Sequence, residues 1–140
     1  MSHPTHEFKR AYLAMRRAVE QAVKPFKVTG AQFEVLQFLL HTDGMEHREL
    51  QRRLSVASPT LTNVVDGMVK EGHVVRHADP HDGRVKRLYL GHAARKLVSS
   101  QAFCDAGDAL VARMFQGFAD EERLEFSRFL SRIESNLDGG

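Results

Sequence analysis

The sequence predicts a mainly α-helical chain interrupted once by a small β-hairpin. Apolar residues recur at three- and four-residue steps over most of its length, the pattern of amphipathic helices. Between His73 and Leu90 the period falls to two on either side of a turn containing Pro80 and the Asp82-Gly83 pair. Directly before that hairpin stands a short helix whose outer face is polar and slender. This order predicts a winged helix-turn-helix lobe set between longer N- and C-terminal helices.

The elements follow one by one. Phe8, Ala11, Tyr12, Met15, Ala18, Val19, Ala22, Val23 and Phe26 mark a long first helix, which Pro25 should end or distort. A second helix reads from about Gly30 to His41, with Phe33, Leu36, Leu39 and Leu40 expected to face inward, and Thr42 to Gly44 breaks it. A third runs from about His47 to Leu54. The fourth is better marked: Ser58 is the expected N-cap, Pro59 suits the first helical position, and Gly72 suits the end. Its apolar stripe is Leu61, Val64, Val65, Met68 and Val69, which leaves Thr60, Thr62, Asn63, Asp66, Gly67 and Lys70 on the other face. Strands are expected over His73–Ala78 and Lys86–Leu90. A single helix of about twenty-five residues should then run from near His92 to Gly117. The last helix should begin at the cap Asp120, with Glu121 and Glu122 favouring its N-terminal turn and Phe126, Phe129, Leu130, Ile133 and Leu137 forming its seam.

Length and composition bound the function. At 140 residues the expectation is one domain over 1–140, with a lobe at about 30–90 flanked by helices at about 1–28 and 91–140. The single cysteine, Cys104, can form no internal disulfide, no segment reads as a secretory leader, and no window approaches eighteen apolar residues; a cytoplasmic protein without a membrane span is expected. The net charge of +2 is uninformative by itself, but its distribution is not. Residues 46–90 hold eight Lys/Arg against six Asp/Glu, whereas residues 91–140 hold six against eight. Four of the eight histidines, His47, His73, His77 and His81, also fall in the middle block. A polyanion, if one binds, should bind there.

In a helix-turn-helix the second short helix enters the major groove, so its outer face must be slender and rich in hydrogen-bonding groups, which Thr60, Thr62 and Asn63 supply. The hairpin tip "DPHDGRVKRLYL" puts Arg84 where a guanidinium can reach a phosphate or a narrow minor groove, with Lys86 and Arg87 beside it. Asp82 would repel DNA unless it forms an ion pair with Arg84 or Arg87. The expected DNA-contacting set is Ser58, Thr60, Thr62, Asn63, Lys70, Arg84, Lys86 and Arg87. No nucleophile–base pair, phosphate-cradling glycine loop or thiolate zinc motif appears, so enzyme activity is not expected.

Through "DGRVKR", "SPTLTNVVDGMVKEGHVVR" and "TGAQFEVLQFL", the chain resembles the multiple-antibiotic-resistance regulator (MarR) family of winged-helix transcription factors, and the element order extends the likeness over nearly all of it. The resemblance implies a homodimer, most often a repressor, whose first and last helices interlock. It makes Arg84 the minor-groove residue, Asp82 and Arg87 a wing-bracing pair, and Thr60 and Thr62 the groove-facing residues. It also implies double-stranded DNA as partner and a small aromatic or phenolic effector that releases the operator; no cofactor is expected, and two-fold symmetry would make the operator an inverted repeat. Pro59 and Asn63 depart from the family pattern, where many members carry serine and a basic residue, so the operator preference is this chain's own. Apolar residues in excess of a small three-helix core, Phe8, Tyr12, Phe26, Leu110, Val111, Met114, Phe115, Phe118, Phe126 and Phe129, independently favour a dimer over a larger monomeric core. Two other readings compete: a protein-interaction module, and an architectural DNA binder without an effector. His73, His77 and His81 are spaced by four, but across a strand and a turn, where that spacing makes no metal face. Cys104 is expected to be a packed cysteine, interior or at the dimer seam, rather than a redox sensor, because acidic Asp105 and Asp108 rather than cations stand near it.

Overall fold

The computed structural model describes residues 2–139, except for the Ser58 side chain. Its elements are α1 (Pro4–Val23), a 3₁₀ turn (Lys24–Phe26), α2 (Gly30–His41), β1 (Met45–Glu46), α3 (His47–Leu54), α4 (Ser58–Lys70), β2 (Val74–Ala78), β3 (Lys86–Leu90), α5 (His92–Val98), α6 (Gln101–Met114) and α7 (Asp120–Asp138). They form two compact units, Met1–Gly107 and Asp108–Gly140. No helix among the described residues is long and apolar enough to cross a membrane.

In the first unit, Pro25 ends α1 as expected: Pro25 sits in the 3₁₀ turn, and Lys27 closes it at φ 59. Thr29 and Gln32 then cap α2 reciprocally, each side chain 3.1 Å from the other's backbone nitrogen. The Glu20 carboxylate also accepts from Gly30 N at 2.8 Å, tying α1 to the start of α2. Val35, Leu36 and Leu39 of α2, Leu50 of α3, Leu61, Val65 and Met68 of α4 and Leu88 of β3 are almost wholly buried in one cluster. Leu40, expected inside, is 52% exposed, because the buried stripe of α2 runs through Val35 and Leu39 and leaves position 40 on its outer edge. Ser55, at φ 53, ends α3, and three residues separate it from α4.

The helix starts shift by one residue from their expected caps. Ala57 is the N-cap of α4, so Ser58 is already helical, and Ala119 rather than Asp120 is the N-cap of α7. At α7 the Glu122 carboxylate accepts from Ala119 N at 2.8 Å, doing from the third helical position what a capping side chain would do. The single helix expected over 92–117 is two. Ser99 Oγ donates to Arg95 O at 2.6 Å and Ser100 Oγ to Leu97 O at 2.7 Å, while Ser100 Oγ accepts from Phe103 N at 3.3 Å. Adjacent serines thus cap both ends and break the rod. Phe103 of α6 then packs against Phe26 and Phe33, with ring centroids 5.2 and 6.0 Å away.

The hairpin gains a third strand. β1 pairs antiparallel with β3, giving the order β1-β3-β2, and Gly44 N donates to Leu88 O at 2.9 Å. Two residues carry no readable period, so β1 is visible only through its partner. At the base of the hairpin, Asp43 accepts from Leu90 N at 2.8 Å and from the Arg95 guanidinium at 2.6 Å, fastening β3 and α5 to the turn after α2. Gly91 is buried where the chain leaves β3; a Cβ there would lie 2.2 Å from the Gly72 carbonyl oxygen.

The second unit is an aromatic corner. Phe115 packs edge-on against Phe118 and Phe126, with centroids 5.5 and 5.7 Å away, and the Arg123 guanidinium lies 4.5 Å from the Phe115 centroid. Met114, Phe118, Leu124, Phe129, Ile133 and Leu137 stay exposed in the single chain.

Gly91→Ala should destabilise the first unit by at least about 1–3 kcal/mol, because the clash is with backbone and cannot be relieved by a rotamer. Urea unfolding should show a lower midpoint at an unchanged slope.

Candidate nucleic-acid interface

The α4 helix presents two faces of different chemistry. Leu61, Val65 and Met68 are buried against the core, which turns Thr60 and Asn63 outward and leaves Thr62 half-buried. Lys70 is exposed at the C-terminal end of the helix. The Ser58 side chain lies outside the described residues. Asp66, the one carboxylate on this face, is bonded to Arg76 of β2 at 2.8 Å, so its charge is answered from the neighbouring strand. Val69, expected in the apolar stripe, is 38% exposed at the helix end.

His47 opens α3 close to this pair. Burial, followed by the nearby Arg76 charge, pushes its pKa below the ordinary histidine value, and Asp66 opposes the shift only in part. The imidazole is therefore neutral at physiological pH.

The wing is organised by Asp79, a residue outside the set expected from the sequence. Its carboxylate accepts from His81 N at 2.7 Å and Asp82 N at 3.2 Å, the Asx-turn arrangement that bends the chain after Ala78. The other oxygen takes Arg87 Nε at 2.6 Å. Arg87 also donates to Gly44 O at 2.9 Å and reaches Glu46 at 3.5 Å, so one guanidinium joins the wing turn, the β1 edge and the turn preceding it. The hydrogen bond from Arg87, reinforced by that from His81 N, holds the Asp79 carboxyl below the ordinary aspartate value; the same bond raises Arg87.

The bracing pair is therefore Asp79–Arg87, in place of the expected Asp82–Arg87. Register explains the correction. His77 opposes Arg87 in the ladder, and side chains two apart share a face, so Asp79 falls diagonally beside Arg87 while Asp82 lies beyond the last paired residues. Asp82 instead holds Arg84: its Oδ1 accepts from Arg84 N at 3.1 Å and Nε at 3.2 Å, which lowers its own pKa. The Arg84 side chain nevertheless remains 92% exposed. An ion pair so open to water is weak and screened by salt, leaving the guanidinium able to swing to a phosphate or groove edge. Lys86 donates to Gly83 O at 3.2 Å, and no carboxylate is paired with it among the described residues.

The histidines take separate surroundings. His77 packs beside Tyr89, with ring centroids 5.8 Å apart; His81 is exposed and contributes its backbone N–H; His73 is largely buried, with Nε2 3.8 Å from Glu71. Among the described residues, no group of three His, Cys, Asp or Glu is arranged to hold a metal. Cys104, expected to be packed, is exposed on α6 of the single chain, its thiol 3.5 Å from Val98 O. Phe103, the residue before it, is half-buried against Phe26 and Phe33.

Comparison with known proteins agrees with this geometry. Residues 28–86, which span α2 to the first residue of β3, match the model of the MarR family. The chain is 28% identical over 117 residues to the uncharacterized HTH-type transcriptional regulator YsmB of Bacillus subtilis, covering 84% of this chain and 79% of that one. It is 24% identical over 110 residues to the HTH-type transcriptional repressor YetL of the same organism, covering 76% of this chain and 64% of the relative. Its fold is similar to that of Staphylococcus aureus MepR in a complex with DNA, with a TM-score of 0.81 at 21% identity over 99% of this chain and 100% of that one.

The wing brace should be visible in solution. A carboxyl-carbon NMR titration of Asp79 should give a midpoint below that of an ordinary aspartate, and Arg87→Gln should move it back up. Because the folded-state value is the depressed one, the stabilisation is complete at neutral pH and is lost only as the pH falls through that lowered midpoint.

Proposed function

We propose that the chain, whose residues 28–86 match the MarR family model, is a sequence-specific DNA-binding transcriptional regulator acting as a homodimer. The observation that carries this reading is the pairing of two surfaces in one lobe: the outward Thr60 and Asn63 of α4, and the 92% exposed Arg84 at the tip of a wing braced by Asp79 and Arg87. A polar helix face suits the major groove, where hydroxyls and an asparagine amide read base edges, and asparagine pairs best with adenine. A guanidinium carried past that helix on a stiff hairpin suits the neighbouring minor groove. In this reading Ser58, Thr60, Thr62, Asn63 and Lys70 act from the helix, and Arg84 and Lys86 act from the wing. Arg87 positions the wing from behind.

The homodimer is supported by apolar surface that the single chain leaves uncovered. Phe8, Tyr12 and Leu13 lie exposed on α1, and the second unit exposes eight large apolar side chains of its own, Val111 and Leu137 among them. Burial against a second copy would remove this surface from water, and a two-fold axis would demand an inverted-repeat operator with half-sites about one helical turn apart. Repression fits a regulator that occupies such an operator, and the name of the relative YetL is in keeping with it. The family resemblance adds release by a small aromatic effector. Such a ligand would act by preferring a lobe separation unsuited to successive major grooves, lowering operator affinity by that preference alone. A regulator of transcription works beside the chromosome, in the cytoplasm.

Fluorescence anisotropy with a duplex selected from a random-sequence pool tests the DNA reading. Arg84→Ala should weaken binding and make the salt dependence shallower by about one unit of slope; unchanged affinity and slope would reject the wing assignment. Sedimentation equilibrium tests the dimer: the wild type should run at twice the 15.8 kDa chain mass, and Phe129→Asp with Ile133→Asp should shift it towards the monomer.

A further inference from the structure

A cleft of about 270 Å³ lies between the start of α3 and the wing, lined by Glu46, His47, Arg48, Gln51, Arg84 and Lys86 among others. Its charge is lopsided. Three cations face it, and its one carboxylate, Glu46, is turned to Arg87 at 3.5 Å. Burial keeps His47 neutral, so the imidazole can exchange a hydrogen bond there without adding charge.

The cations of α3 are treated unequally. Arg52 and Arg53 both bond the Glu49 carboxylate, with Arg53 Nε at 2.8 Å, and their charge is answered within the helix. Arg48 belongs to no ion pair among the described residues, nor does Lys86 across the cleft from it. Two unanswered cations and an amide side chain, Gln51, therefore converge on one small polar space. An isolated cation on a surface is ordinary; two that share a cleft whose one carboxylate, Glu46, is hydrogen-bonded to Arg87 rather than to them repel each other and favour an anion between them.

We propose that this cleft holds a phosphodiester of the DNA backbone, with Arg48 and Lys86 on either side of it and Gln51 as a neutral donor. The inference rests on the DNA-binding reading above and deepens it. If α4 lies in a major groove and Arg84 in the adjacent minor groove, the sugar-phosphate strand that separates the two grooves must pass the protein between those elements. The cleft lies beside Arg84 on the wing, and its other wall is α3, the helix that leads into α4 after three residues. A contact of this kind carries no base information; it fixes the register from which α4 reads. Arg48 is thus a positioning residue, and the sequence pattern hides it, because "HRELQRRL" shows three arginines of equal standing.

The test is anisotropy titration at about 50–200 mM salt. It uses the full chain, one selected duplex and one random-sequence duplex. Arg48→Ala should lower affinity for both duplexes by the same factor and make the slope shallower by about one, Arg48→Lys should restore the slope, and Arg52→Ala should leave both near wild type. Circular dichroism and Tm of each variant verify folding. Wild-type affinity and slope in Arg48→Ala, alongside a weakened Arg84→Ala, would overturn the phosphate site and leave the DNA reading standing. Equal losses in Arg48→Ala and Arg52→Ala would also overturn it, by showing a diffuse electrostatic effect. Loss on the selected duplex alone would make Arg48 a base-reading residue instead. A wild type that binds neither duplex would remove both readings together.

Discussion

The Arg87 guanidinium is the constraint on which the rest of the lobe depends. It sits on β3, the central strand, and holds Asp79 at 2.6 Å, Gly44 O at 2.9 Å and Glu46 at 3.5 Å. A two-stranded ribbon projecting into water is marginal by itself. Here its turn, its central strand and the short β1 edge are drawn together by one planar, multiply donating side chain, a role that the single point charge of lysine fills less well. Leu88 and Leu90 bury the inner face of β3 beside it, and Asp43 fastens the base. The direction of Arg84 follows from that frame, although Arg84 itself is nearly free in water.

The chain carries a net charge of only +2, yet its lobe presents a cationic surface. Ion pairing does the sorting. Arg52 and Arg53 are absorbed by Glu49, Arg76 by Asp66, Arg87 by Asp79 and Arg95 by Asp43. These pairs spend positive charge on local shape. Arg48 and Lys86 remain unanswered, and Arg84 is held only by an exposed and screened partner. Polyanion binding thus depends on where neutralisation fails, a property that no sum over the sequence expresses.

Apolar surface is divided in the same way. The first unit closes a core around Leu36, Leu39, Leu50, Leu61, Met68 and Leu88, which fixes α4 and the wing on one scaffold. The second unit gathers Phe115, Phe118 and Phe126 into a corner and buries none of the residues of α7. The first unit closes this core yet leaves Phe8, Tyr12 and Leu13 exposed on α1, while the second exposes apolar residues along α7.

Much of this was legible in the residues themselves. Periodicity placed α2, α3 and β3 at their observed ends, because a buried stripe leaves a local, repeating mark. Gly72 stopped α4 in its left-handed conformation at φ 77, and Pro25 stopped α1. The polar face of α4 and the exposed arginine of the wing were likewise visible from side-chain type and order. What escaped were the features made by partners distant in sequence. β1 exists only because β3 lies beside it, 43 residues separate Gly44 from the Arg87 it accepts from, and the break at Ser99–Ser100 depends on hydroxyls choosing backbone carbonyls over water. That Asp79 rather than Asp82 braces Arg87 is hidden for a related reason. Composition puts two aspartates near one arginine, and only the register of β2 on β3 decides which of them shares its face. Sequence alone therefore determined which elements form and what chemistry their surfaces carry, since those are local properties of the chain. Tertiary structure decided which charges are cancelled and which are left for a ligand, since that depends on distances between residues that the sequence keeps apart.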